Sequence, residues 1–135
     1  MKQRTRLFTP LTLVALVALA ALEPDASAGN RATFPVQVDV TYRMASGAVG
    51  SARNSVDGQQ SIYCFTNATS SSVYGYCAAM TAEGVFGSCF TTDATMLPLI
   101  QVMASDGVFA FYWDENGQCT DVLSYRGSLW DPKLP

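Results

Sequence analysis

The sequence predicts an α+β domain: a small antiparallel β-sheet with one short helix packed on it, held by two disulfides. Three observations carry this prediction. Short runs rich in aromatic and β-branched residues recur between turn signals. Only one run, residues 95–104, has a helical period. Four cysteines, an even number, follow a leader-like N-terminus. Successive strands with a single short crossover element favour antiparallel pairing.

The chain has 135 residues, enough for one domain. Hydrophobic residues make up 49% and charged residues 14%, which excludes an intrinsically disordered chain. A formal charge of −3 lacks the basic excess of a nucleic-acid binder. Histidine is absent, which excludes Ser-His-Asp and Cys-His catalysis and histidine-ligated metals.

Residues 1–28 read as a signal peptide. Lys2, Arg4 and Arg6 form a basic start, LTLVALVALAAL (11–22) an apolar centre, and Ala26-Ser27-Ala28 a small-residue cleavage site. Cleavage is expected between Ala28 and Gly29. The apolar run, bracketed by Pro10 and Glu23, is shorter than the roughly 20 residues a membrane span needs. No span is therefore expected after cleavage, and the protein is expected in the periplasm or outside the cell. The remaining 29–135 form a single domain small enough to need disulfide reinforcement.

Cys64, Cys77, Cys89 and Cys119 all lie in that domain. An oxidising destination favours two disulfides. Their spacing lacks the close pairs of a zinc site. Three pairings are open. Cys64–Cys77 with Cys89–Cys119 comes first, because a turn at 68–73 sets Cys64 opposite Cys77. Cys77–Cys89 with Cys64–Cys119 is close behind, because a loop at Ala82-Glu83-Gly84 sets Cys77 opposite Cys89. A Cys64–Cys89 bond comes last, because it must reach past the strand of Cys77.

Residues 34–42 alternate, with Phe34, Val36, Val38, Val40 and Tyr42 on one face of a half-buried strand. Residues 45–60, rich in Gly, Ser and Asn, read as a long loop. Strands at 61–66, 73–80 and 85–91 make a meander, with Gly84 in the left-handed position of its second turn. In 95–104, Met96, Leu99, Ile100 and Met103 form a helix stripe capped by Asp93 or Thr95. Ser105-Asp106-Gly107 stops it. Strands at 108–113 and 118–125 then flank Asp114-Glu115-Asn116-Gly117, a hairpin turn signal. The tail SLWDPKLP reads as irregular.

GSARNS (50–55), IYC, GYCAAMTAEGVFGSC, YWDENGQCT and the Pro-Lys at 132–133 resemble a group of small exported bacterial proteins. The likeness covers most of residues 50–133. It implies a signal peptide and disulfide pairing, and carries no catalytic or binding residue.

The acidic turn 114–117, with Asp106 and Asp121 near in sequence, has oxygen ligands of a kind that suits calcium. Turn geometry already accounts for it, and it lacks the calcium-loop pattern. No metal or cofactor is expected. Nine carboxylates of residues 29–135 offer no defined pair for hydrolysis. Tyr63, Tyr74, Tyr76, Tyr112, Trp113, Tyr125 and Trp130 could stack on a sugar or peptide, or fill the core. Alternation puts Tyr74 and Tyr76 opposite Cys77, and Phe109, Phe111 and Trp113 opposite Tyr112. Tyr112, Trp113, Asp114 and Trp130 are the candidate ligand-facing residues. Asn67-Ala68-Thr69 reads as a plain polar turn rather than a glycosylation site. The expected role is a non-catalytic binding or structural one in the cell envelope or beyond, with a glycan or a protein as partner. An inhibitor or effector using loop 45–60, and a small carboxylate hydrolase, are the rivals. An exposed aromatic row, a protruding loop, or a cleft with facing carboxylates would separate the three.

Overall fold

Alternating short strands do form, but they build two sheets rather than one. The computed structural model describes residues 32–103 and 107–130. The strands are β1 (Gln37–Asp39), β2 (Met44–Ala48), β3 (Ser61–Ala68), β4 (Val73–Met80), β5 (Phe86–Thr91), β6 (Gly107–Trp113) and β7 (Cys119–Arg126). Two helices of one turn or so, α1 (Val49–Arg53) and α2 (Leu97–Gln101), interrupt them. One antiparallel sheet has the order β1-β2-β6-β7, the other is the meander β3-β4-β5. The fold is thus mostly β, in place of the expected α+β arrangement of one sheet and one helix. The expected leader, with its cut between Ala28 and Gly29, lies outside the described residues, as do Ser105, Asp106 and the end of the tail.

The extra strand comes from the segment expected to be a loop. β2 reads MASGA because it lies at the centre of the four-stranded sheet, where large side chains have no room. Ala45 faces Phe111 and Gly47 faces Phe109 across the β2–β6 ladder. A Cβ on Gly47 would lie 3.0 Å from the Cα of Val36, so the N-terminal segment crosses it closely. Small residues there reflect packing, not irregularity. The expected strand 34–42 shortens to β1. Val36 is buried, while Val40 and Tyr42 stand exposed in the β1–β2 turn. That turn is held by Asp39 Oδ1, which accepts the N–H groups of Thr41 and Tyr42.

The two layers differ in side-chain size, and this lets them pack. The inner face of the four-stranded sheet presents Phe109 and Phe111, both fully buried, with Trp113 beside them. The inner face of the meander presents Gly75, Cys77 and Ala79 from β4, and Gly87, Cys89 and Thr91 from β5. A Cβ on Gly87 would sit 2.6 Å from the Trp113 ring, and one on Gly75 2.5 Å from Ile100 of α2. Glycine makes room for the opposing layer at both places. A β-bulge shifts the β6–β7 register between Tyr112 and Trp113, which lets Cys119 and Val122 both face inward although they are three apart.

The disulfides are Cys64–Cys77 and Cys89–Cys119. Cys77 has Cys64 opposite it on β3 and Cys89 opposite it on β5, so register alone does not choose. Ladder type does. Thr69 N–H bonds to the Ser72 carbonyl, and alternation from there makes Cys64 and Cys77 a non-hydrogen-bonded pair. Their Cα atoms are only 4.1 Å apart, the closer of the two ladder spacings. Cys77 and Cys89 occupy the wider, hydrogen-bonded kind of pair. Cys89 bonds instead across to Cys119, joining the two sheets. Beside it, Phe90 N–H donates to the Gly117 carbonyl at 3.0 Å.

Helix α2 is shorter than the expected 95–104 stretch. Asp93 Oδ1 accepts the N–H groups of Thr95 and Met96 just before it, and Pro98 sits in its first turn. Among the described residues, no helix is long and apolar enough to cross a membrane.

Candidate binding surface

Phe65, Tyr76 and Phe90 of the meander each adjoin a cysteine in sequence: Cys64-Phe65, Tyr76-Cys77 and Cys89-Phe90. Neighbours in a strand point to opposite faces. The cysteines face the core, so the rings must face outward. Phe65 is the ladder partner of Tyr76, and Tyr76 of Phe90. The three therefore form one row across all three strands. Phe65 and Tyr76 ring centroids lie 5.4 Å apart. Phe65 is 44% and Phe90 42% exposed.

Around the row lie Tyr63, Tyr74, Met80 and Phe86, with Ser61, Asn67, Ala78 and Ser88 filling the face. None of these residues is charged. Asn67 donates to the Tyr74 hydroxyl at 3.1 Å, which adds a polar rim. Two threonines hold the turns. The Thr69 hydroxyl accepts from the Ser71 and Ser72 N–H groups, and that of Thr81 from Glu83 and Val85. Gly84 takes the expected left-handed conformation, φ +83°.

The candidates Tyr112, Trp113, Asp114 and Trp130 do not converge. Tyr112 faces the outside of the four-stranded sheet, between Met44 and Asp121. Trp130 packs on Phe34 at 5.8 Å, far along the N-terminal segment, and its indole N–H is buried without a partner among the described residues. Only Trp113 and Asp114 share a site. They line an open groove of about 370 Å³ with Arg43, Phe86, Ser88 and Glu115.

In that groove Asp114 is part of the turn. Its Oδ1 accepts the N–H groups of Asn116 and Gln118. The Gln118 N–H, with help from Asn116 and the charge of Arg43, holds its carboxyl below the usual carboxylate range. Gly117 alone has positive φ, so this is a three-residue loop rather than a two-residue Asn-Gly turn. The groove's two carboxylates, Asp114 and Glu115, are neighbours on that turn and do not face each other across a substrate space. Arg43 itself has φ 51°, and its carbonyl accepts the Trp113 N–H at 3.0 Å. Among the described residues, no three His, Cys, Asp or Glu gather as a metal set.

No known protein family, no curated protein and no solved structure matches the chain.

The residues that sequence reasoning passed over are Phe65 and Phe90. The alternation beside each cysteine was the signal for both.

Proposed function

We propose that this protein is an exported, non-catalytic binding protein whose meander presents its outer face to a neutral glycan. The observation that carries this reading is the row Phe65–Tyr76–Phe90, exposed at both ends and half-buried at Tyr76, on a face whose own strand residues carry no charge. Aromatic rings offer large apolar area, and tyrosine adds a polar tip. Sugar rings present C–H faces and hydroxyl edges, which match that combination. A face without charge gives no preference for an ionic polymer. Two disulfides are consistent with an oxidising periplasmic or extracellular setting.

The inhibitor reading needs a free loop at 45–60. Much of that segment is instead β2 and α1, with Ala48 and Ala52 buried. The hydrolase reading needs facing carboxylates, and Asp114 is engaged by its own turn.

Isothermal titration with soluble neutral polysaccharides tests the proposal. Binding should be lost in Phe65→Ala/Tyr76→Ala/Phe90→Ala and kept in Tyr125→Ala, on the other sheet. Equal affinity in both variants would refute it.

A further inference from the structure

The meander has an unprotected edge. Sheets leave unpaired N–H and C=O groups along edge strands, and proteins shield them with short length, charge, proline, bulges or a covering segment. Three of the four edges here are shielded. β1 is three residues long and ends in Asp39. β5 is met at Phe90 by the Gly117 carbonyl. β7 carries Asp121 and Arg126 and a register shift.

β3 lacks the short length, charge, proline and bulge that shield other edges. Its eight residues, SIYCFTNA, contain no charge and no proline. All eight pair with β4 in unbroken register. No strand lies beyond it among the described residues. Because Cys64 and Cys77 are a non-hydrogen-bonded pair, Ile62, Cys64, Thr66 and Ala68 point their backbone N–H and C=O groups away from β4. Helices α1 and α2 both pack against β3, and α2 also meets Gly75 of β4 on the inner face. On the outer face Tyr63 and Phe65, each 44% exposed, flank it.

We infer that two copies of this chain pair antiparallel through β3. A two-fold axis requires each strand to be complementary to itself. An uncharged strand meets this condition, since no like charges are brought together. The outward-pointing residues run from 62 to 68, so the register using all of them centres the axis on Phe65. Ile62 then pairs with Ala68 of the second copy, and Cys64 with its Thr66, giving about eight backbone hydrogen bonds. Phe65 meets its own counterpart in a non-hydrogen-bonded pair, where side chains approach most closely. The result is a continuous six-stranded sheet. The two aromatic rows join end to end, and a polymer could engage both at once. The pairing itself does not depend on what the face binds.

Light scattering after size exclusion, without ligand, tests this on the purified protein. The mass should be that of a dimer. Amides of Ile62, Cys64, Thr66 and Ala68 should gain protection from hydrogen exchange as concentration rises. Phe65→Lys sets two ammonium groups together at the axis and should give a monomer. Thr66→Pro removes an edge donor without touching the β3–β4 ladder and should do the same. Tyr125→Lys, on β7, should stay dimeric. Circular dichroism shows whether each variant is folded, and Phe65→Lys decides alone should Thr66→Pro misfold. A monomer with unprotected β3 amides at every concentration would overturn the inference. So would a dimer that Phe65→Lys leaves intact.

Discussion

The two sheets are built on different principles. The four-stranded sheet is held by large buried rings. Phe109 and Phe111 are fully buried and lie against Ala45 and Gly47. The meander has almost no large side chain inside. Its inner face is glycine, alanine, threonine and cysteine, apart from Ile62, and its rings are outside. Large buried rings therefore stabilise one sheet, whereas small buried residues, a cross-strand disulfide and an unbroken register stabilise the other. The contrast shows how a small domain can leave one sheet face uncovered: the partner layer supplies the large side chains of the core, and a covalent bond adds to the packing of small ones.

The largest expected effect sharpens that contrast. Phe109→Ala should lose about 3–5 kcal/mol of stability, as buried Phe-to-Ala changes do. Phe90→Ala, on the meander's outer face, should lose less than about 1 kcal/mol, since surface changes cost little. Urea denaturation monitored by tryptophan fluorescence measures both. Similar losses would show that the outer rings are part of the core.

The disulfides come next. Replacing Cys89 and Cys119 by alanine removes a bond spanning 30 positions and should cost about 3.5 kcal/mol on the chain-entropy account. Replacing Cys64 and Cys77 removes one spanning 13 and should cost about 3 kcal/mol. The difference should widen in experiment, because only the first bond ties the sheets together. A larger loss for the Cys64 and Cys77 pair would reverse the assignment of which bond matters more.

A smaller effect concerns the seam between the layers. Gly87→Ala drives a methyl group into the Trp113 ring and should cost about 1–3 kcal/mol, the range for overpacking. Gly75→Ala meets the flexible end of Ile100, which can move aside, and should cost less. Thermal melts of the two variants make the comparison.

The smallest effect is pH dependence. Asp57, Asp93 and Asp114 hold turns outside the meander, and each carboxyl titrates below its ordinary value. The Ser55 hydroxyl is the main cause for Asp57, the Thr95 hydroxyl for Asp93, and the Gln118 N–H for Asp114. A pKa lower in the folded chain means the contribution is present above about pH 4 and lost as pH falls through the folded value. The meander's turns rest on Thr69 and Thr81, which do not titrate. Acid should thus reduce hydrogen-exchange protection at Gln60 and Gln118 before Ser72 and Val85. Simultaneous loss at all four would remove this distinction between the regions.

Much of the meander was legible in the chain itself. Its strands have strong β character, its turns carry recognisable signals, and their positions set which cysteines can face each other. Local geometry dominates there, because each strand pairs with the next in sequence. The face opposite the cysteines was also readable by alternation, which places Phe65, Tyr76 and Phe90 together on the outside. In the four-stranded sheet the β6–β7 hairpin was legible from its turn signal, but β2 was not. β2 looks like a loop because its small residues answer to rings on β6, about 65 positions later in the chain. No local propensity records such a requirement. Asp114 and Trp113 were singled out for their chemistry, yet the turn and the core account for most of their contacts. Arg43 joins them only because β1 and β2 bring its turn alongside. The choice of Cys64 over Cys89 as partner for Cys77 belongs to both levels: register, written in the sequence, offered two neighbours, and the spacing of the folded ladder selected the closer one.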